Sequence, residues 1–295
     1  MTKRKPLYLI DASVYIFRAY FSLPETMVDA AGNPVNAVYG FAGFLNKLIA
    51  TSKGDHFAVA FDESLTSSFR NDFYPEYKAN RELPPAELEA QLKSCQELTR
   101  ILGLASFVSD RYEADDLIGT VAAKMRPKGF RMVFVSGDKD LAQLLRGGDV
   151  FWDFARDERL TAAGIKDRFG VKPEQIVDLL ALAGDSVDNI PGVPGIGPKT
   201  AGELLRRFGS LDEIYGGLAK IHALGLRGAR RIQQLLQDNR EQAYLSQRLA
   251  RIADNAPIRC PASTLTRKPP KTKQLADLCD RLNFGSHLRT RLAGL

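Results

Sequence analysis

Cysteine, histidine and long apolar runs are all scarce in this chain of 295 residues. Its three cysteines, Cys95, Cys260 and Cys279, are scattered and show no CxxC spacing. That excludes a disulfide framework and a cysteine-based zinc site, and it fits a reducing cytoplasm. His56, His222 and His287 stand alone, so no Ser/His/Asp or Cys/His nucleophile system is legible. Each is most simply a surface or partly packed side chain. The longest apolar stretch, residues 37–45, is halted by Asn46 and Lys47, far short of a membrane span. Near the start, the run Leu7–Ile10 is cut by Asp11 after four residues, too short for a signal peptide. Gly and Pro total 39, close to ordinary usage, and no segment repeats with a period of 20–50 residues.

What is present is an ordinary globular balance, with 44% hydrophobic and 26% charged residues. The length suits one large domain or two modest ones. Strand-like and helix-like segments alternate in the first half. Apolar strand signals lie at 7–10, 56–61, 105–108, 131–135 and 149–154, with helical periodicity at 36–52, 84–103 and 114–125 between them. This alternation predicts an α/β fold with a mostly parallel central sheet and helices on both faces. Beyond about Leu160 the pattern turns helical, at 176–183, 199–208, 211–217, 228–238 and 240–251. The expected organisation is an α/β core over 1–174, a helical lobe over 175–255, and a C-terminal segment over 256–295 that packs back on the body.

Three strands end in acids: Asp11, Asp62, and Asp138 with Asp140. In an open parallel sheet the carboxyl ends of strands face one crevice, where ligands bind. Glu113, Asp115 and Asp116 open a helix after a strand, and Asp185 and Asp188 open the helical lobe. Singly, each acid has a plain alternative as a helix cap, a dipole partner or a turn residue. Together the nine carboxylates are too many like charges to share a pocket without cations. An oxygen-only donor set favours Mg²⁺ or Mn²⁺ over zinc, and two such ions about 4 Å apart form a clamp for phosphodiester cleavage. With the nine set aside, 41 Lys and Arg face 26 Asp and Glu, a balance of +15 in a chain whose overall charge is +6. A basic surface around an acidic pocket is what a nuclease needs.

Two further segments stand out. Residues 70–81 interleave Arg70, Tyr77, Lys78 and Arg81 with Phe73 and Tyr74, a mixture suited to stacking on bases while holding phosphates. Lys78 and Arg81 share a face if this segment is helical; a solvated loop with its rings packed inward is the alternative. The stretch Gly192–Ala201 nearly imitates a P-loop, but Pro198 separates Gly197 from Lys199 and Thr200, and no apolar strand precedes it. It reads better as a helix–hairpin–helix whose backbone amides grip a phosphate, with Pro198 at the first helical position. Gly195 and Gly197 are expected to need positive φ or a close approach there. A packing corner is the alternative.

The segments LID at Asp11, FDESLTSSFRNDFYPEYKANR, YEADDLIG, VSGDKDL and GDSVDNIPGVPGIGPKTA together resemble the 5′-nuclease (flap endonuclease) family. The resemblance is particularly to the N-terminal 5′→3′ exonuclease domain of bacterial DNA polymerase I, and it covers nearly the whole chain. It implies a PIN-like nuclease core, a helical arch near 70–93 and a helix–three-turn–helix gripping duplex DNA. All nine acids match the family's metal-site positions, and Lys78 and Arg81 match its basic arch residues. K⁺ at the 192–200 hairpin is implied in the same way. The implied activity is Mg²⁺-dependent, structure-specific 5′→3′ exonuclease and flap endonuclease action by a monomer in the bacterial cytoplasm, at the nucleoid. Its implied substrates are DNA with 5′ ends, flaps or junctions, and RNA primers, in replication and repair. No polymerase segment is present, leaving a free-standing enzyme and a fragment of a longer chain both open. A PIN-like ribonuclease and a non-catalytic DNA-junction binder remain the alternatives.

Overall fold

The computed structural model describes residues 4–62, 68–81 and 84–295. The FDESLTSSFR motif and the expected arch therefore fall partly outside the described residues, at 63–67 and 82–83. Strand β1 (Lys5–Asp11) leads into helices α1 (Ala12–Ser22) and α2 (Asn36–Thr51), then β2 (His56–Asp62). Next come α3 (Ala86–Ile101), β3 (Ala105–Ser109), α4 (Ala114–Met125), β4 (Phe130–Val135), β5 (Val150–Asp153) and β6 (Glu158–Leu160). The sheet order is β3-β2-β1-β4-β5-β6, parallel throughout except for β6, which pairs antiparallel with β5.

The two-residue period of the strands decides which side chain meets which layer. On β1, Tyr8 and Ile10 join Phe57, Phe61 and Val135 in a core beneath α1, α2 and α3. Leu7 and Leu9 point the other way, to Met132, Phe134 and α4. Burial on both faces accounts for the nearly continuous apolar runs of the central strands. Helix α3 lays Leu88, Leu92, Cys95 and Leu98 into the first core, at the spacing that predicted it. Helix α1, the short β6 and α5 (Ala162–Phe169) are elements that the sequence pattern does not indicate. The expected helical arch is not formed by residues 70–81. Phe69–Asp72 is a single 3₁₀ turn and the chain then runs in successive turns to Ala79 and Asn80, so Lys78 and Arg81 share no helix face.

The second core continues from α4 without a break into α6 (Ile176–Ala183), α7 (Pro198–Phe208) and α8 (Leu211–Gly216). It extends to α9 (Ala229–Asp238) and α10 (Arg240–Ala250). Helices α11 (Thr272–Arg281) and α12 (Ser286–Ala293) lie on the opposite layer, where Asn46 Nδ2 donates to the Arg291 carbonyl at 2.9 Å.

Two glycines fix the turn ahead of α7. Gly192 has φ +62°, and a Cβ there would sit 2.3 Å from the Gly184 nitrogen. Gly195 also has positive φ, at +88°. Gly197 does not: it caps α7 at φ −90°, and a Cβ on it would meet nothing within 4 Å. The expectation of a steric need therefore holds at Gly195 and moves from Gly197 to Gly192. Gly192→Ala is expected to cost roughly 1–3 kcal/mol, because backbone must shift to admit the methyl group. Gly197→Ala should be close to neutral. Equal unfolding midpoints for the two in denaturant titration would contradict the close-approach argument.

Candidate active site

Every parallel strand points its carboxyl end at the same edge, and the chain reverses direction across the sheet between β1 and β4. A crevice opens at such a switch point. Asp11 ends β1 and Asp62 ends β2, while Asp138 follows β4 and Asp115 lies in the first turn of α4. An open cleft of about 450 Å³ lies there, with Asp138, Asp140, Asp185 and Asp188 in its walls. The structure sorts the nine predicted acids into three environments.

Asp11, Asp62, Asp115, Asp138 and Asp140 form no ion pair among the described residues. Asp62 is held by the Ser13 hydroxyl at 2.6 Å and the Ala114 amide at 2.8 Å, and Asp11 accepts from the Ser136 hydroxyl at 2.9 Å. Asp138 accepts from the Asp140 amide at 2.9 Å, a turn bond that leaves its second oxygen open. Burial, then repulsion from Asp62 and Asp138, pushes the Asp11 carboxyl up to about 7. Burial and Asp138 push Asp140 to about 7 as well. Asp115 is raised well above the ordinary range by burial and by Asp138, Asp11 and Asp62.

Glu113, Asp185 and Asp188 are neutralised by the chain's own cations. Lys78 Nζ lies 2.5 Å from Glu113 Oε1 and 3.7 Å from Asp188 Oδ2, and Arg81 lies 2.5 Å from Asp188 Oδ1. Lys139 lies 2.8 Å from Asp185. Burial pushes Asp185 up, but this hydrogen bond and charge outweigh it and hold the carboxyl low. A backbone and a side-chain hydrogen bond dock the two segments together: the Lys78 amide donates to the Asp188 carbonyl at 3.1 Å, and the Asn189 side-chain Nδ2 to the Glu76 carbonyl at 2.6 Å. Lys78 itself has φ +56°, a region costly for a side chain of its kind.

Asp116 belongs elsewhere. It is fully buried, and Arg70 grips both its oxygens at 2.8 and 2.9 Å. Its oxygens also accept the Glu113 and Ala253 amides. Arg70 in turn donates to the carbonyls of Leu249 and Arg251. Asp116, expected among the metal acids, thus has no lone pair left to face the cleft. Arg70 and Tyr77, expected at nucleic acid, are 2% and 4% exposed and are spent inside the protein. Tyr77 donates towards Glu113 and Asp188. The inward-packed alternative describes these two residues, because an aromatic ring and a guanidinium beside several carboxylates gain more there than in water.

Sequence reasoning missed Lys139, Ser13, Ser136, Arg18, Asp153 and Arg156. Lys139 stands between two predicted acids, Ser136 directly follows β4 and Ser13 lies two residues after the end of β1, so position alone could have flagged them. Asp153 ends β5 as Asp11 ends β1. Extending that strand to Phe154 hid it. The hairpin presents Lys199 exposed and Thr200 half-buried at the start of α7.

The donor chemistry fits divalent ions. The unpaired groups are all hard oxygens, and Asp140 Oδ1 is buried with no hydrogen-bond partner. Among the described residues no three acids converge closely enough to hold an ion as they stand.

A carboxylate-lined cleft thus lies at the switch point of a parallel sheet in a basic protein. The family model of the 5′-3′ exonuclease N-terminal resolvase-like domain matches residues 6–170, and that of its C-terminal SAM fold matches 171–273. The chain belongs to the 5′-3′ exonuclease family. It is 34% identical to a 5′-3′ exonuclease of Buchnera aphidicola subsp. Schizaphis graminum, covering 96% of this chain and 98% of that one. It is 38% identical to DNA polymerase I of Bacillus caldotenax over 97% of this chain, and spans 32% of that polymerase's length. Among solved structures, T5 5′-exonuclease with zinc bound aligns over 98% of this chain and 97% of that one. The TM-score is 0.68 at 20% identity. The catalytic core of Rad2 in complex with DNA aligns over 98% and 91% at TM-score 0.63 and 15% identity. These two establish the fold.

Raised carboxyl pKa values mean that the folded protein holds protons the unfolded chain has released between about pH 4 and pH 7. Stability without metal therefore falls as pH rises through that window. Asp11→Asn or Asp140→Asn should raise the melting temperature in EDTA at pH 8 and flatten the decline. A lower melting temperature for both at pH 8 would show that the charge is already compensated. Asp116→Asn, in contrast, should cost about 3–5 kcal/mol, since it removes the bidentate charged partner of buried Arg70.

Proposed function

We propose that this chain is a divalent-metal-dependent, structure-specific 5′ nuclease that hydrolyses DNA at 5′ ends, flaps and junctions. Five carboxylates without an ion-pair partner among the described residues, Asp11 buried and the other four half-buried, at one sheet edge of a basic protein, carry this reading. A junction binder gains nothing from keeping that charge there. Asp11, Asp62, Asp115, Asp138 and Asp140 would hold the ions, joined by Glu113, Asp185 and Asp188 once their lysine and arginine partners move away. Mg²⁺ suits the all-oxygen set, with Mn²⁺ as a substitute. Ions bound there supply an acidified water and charge stabilisation for the phosphoryl oxygens.

The chain's own residues do the rest. Ser13 and Ser136 fix the orientation of Asp62 and Asp11. Lys78 and Arg81 carry mobile positive charge beside the cleft, placed to pass from Glu113 and Asp188 to the scissile phosphate. Charge delivered as the transition state forms accelerates the step more than it strengthens binding. The turn at Gly195 and Gly197, with Lys199 and Thr200, would hold a duplex phosphate on the N-terminus of α7, with K⁺ beside it. Removal of flaps and of RNA primers in replication and repair, by a monomer in the cytoplasm, is the biological role that follows.

The deciding assay is a labelled 5′-flap duplex with Mg²⁺ or with chelator, where cleavage in Mg²⁺ alone is expected. Asp138→Ala should abolish it while leaving flap binding intact. Lys78→Ala should slow single-turnover cleavage about a hundredfold with little change in affinity. Near-normal turnover by Asp138→Ala at limiting Mg²⁺ would sink the site assignment, and a purely affinity-based defect in Lys78→Ala would make it a general phosphate contact.

A further inference from the structure

Two segments a hundred residues apart close on each other beside the acid cleft, residues 76–81 and the turn 185–190. Hydrogen bonds join them in addition to the ion pairs. The Lys78 amide donates to the Asp188 carbonyl at 3.1 Å, Asn80 Nδ2 to the Ser186 carbonyl at 2.7 Å, and Asn189 Nδ2 to the Glu76 carbonyl at 2.6 Å. Among the described residues four other than glycine have positive φ, and two of them meet at this contact. Lys78 stands at φ +56° on one side and Asn189 at φ +55° on the other. Backbone held this way persists only where its surroundings over-determine it, and it gathers at switch regions. Lys78 and Arg81 meanwhile occupy oxygens of Glu113 and Asp188. Arg81, Asp188 and Val187, which is 64% exposed, stand in the wall of the cleft, so the contact forms part of its mouth.

We propose that residues 76–81 are a latch, shut on the 185–190 turn in the metal-free protein and released when a divalent cation takes the oxygens of Glu113 and Asp188 from Lys78 and Arg81. The inference rests on the metal reading of the site and adds a closed state to it. The same carboxylate oxygens cannot neutralise Lys78, Arg81 and a divalent cation together. Once the ion pairs are lost, three neutral hydrogen bonds remain to hold the contact, two of them exposed. Exposed bonds of this kind exchange with water at little net cost, and the strain at Lys78 favours opening. The coupling is reciprocal: docking weakens cation binding by the factor by which the cation weakens docking. A divalent ion alone therefore loosens residues 76–81, the opposite of the ordering a ligand usually brings. The order of events follows, with Lys78 free to meet a phosphate only after the acids have found another cation.

The test is limited trypsin digestion of the full chain, without DNA, in EDTA and in Mg²⁺, read by mass spectrometry. Cleavage after exposed Arg227 serves as the reference for trypsin itself. Cleavage after Lys78 and Arg81 is expected to be slow in EDTA and about threefold or more faster in Mg²⁺. Asn80→Ala and Asn189→Gly each delete one docking bond without changing any charge, and glycine keeps the positive φ at position 189. Both should speed cleavage after Lys78 in EDTA and tighten Mn²⁺ binding, titrated by electron paramagnetic resonance, about threefold or more. A neutral substitution that tightens cation binding cannot act by removing a competing charge, so the gain reports the latch. Asn80 is exposed, so its variant folds whether or not the Asn189 variant does, and melting temperatures check both. Wild-type Mn²⁺ affinity in both variants would overturn the latch, as would Mg²⁺ that slows or leaves unchanged the cleavage after Lys78. In each of those cases flap cleavage by wild type survives; failure of the wild type to bind Mn²⁺ at all would remove the metal reading as well.

Discussion

Parallel strands that end together bring Asp11, Asp62 and Asp138 to one edge of the sheet, and like charges so placed repel. Much of the surrounding structure answers that repulsion. Ser13, Ser136 and the α4 amide of Ala114 donate to the strand-end carboxylates. Lys78, Arg81 and Lys139 neutralise the next ring of acids. Asp11, Asp115 and Asp140 form no ion pair among the described residues, and their raised carboxyl pKa values show that burial and mutual repulsion outweigh the hydrogen bonds and more distant lysines around them. A functional site of this kind is costly to the folded state, and the two large apolar layers on either side of the sheet supply the offsetting stability.

The same charges tie the two halves of the molecule together. Arg70 reaches from the loop after β2 to Asp116 on α4 and to the carbonyls of Leu249 and Arg251 beyond α10. Residues 76–81 meanwhile dock on the 185–190 turn through Lys78, Asn80 and Asn189. A buried arginine with all its donors used is a fixed joint. An exposed-side pair such as Arg81–Asp188, and a lysine held at positive φ, make a contact that a competing phosphate or cation can open. Basic residues eight to eleven positions apart thus take opposite roles, one anchoring the lobe and the others poised over the cleft.

Legibility in the sequence followed the range of the forces involved. Buried strands and long helices such as β4 and α3 were readable because burial imposes a period on their own residues. The strand-end acids were readable because a sheet's topology converts a local position into a shared edge. The helix start at Pro198 was likewise local. Less legible were α1, whose apolar residues run nearly all round the helix and so show little period, the three-residue β6, and Asp153, whose place at the strand end depended on a boundary wrong by one residue.

By itself, the sequence determined the α/β alternation, the helical second half, the acid-rich crevice and its oxygen-only chemistry, since each rests on residue type and local spacing. Tertiary structure alone decided which acid does what. Asp115 and Asp116 are neighbours on one helix, yet one faces other carboxylates and the other is locked to Arg70. It also decided that Tyr77 turns inward, and that Gly192 rather than Gly197 is the glycine with no room for a side chain. The reason is the same in each case. Electrostatic partners and steric neighbours come from segments dozens of residues away, and their positions exist only once the chain has packed.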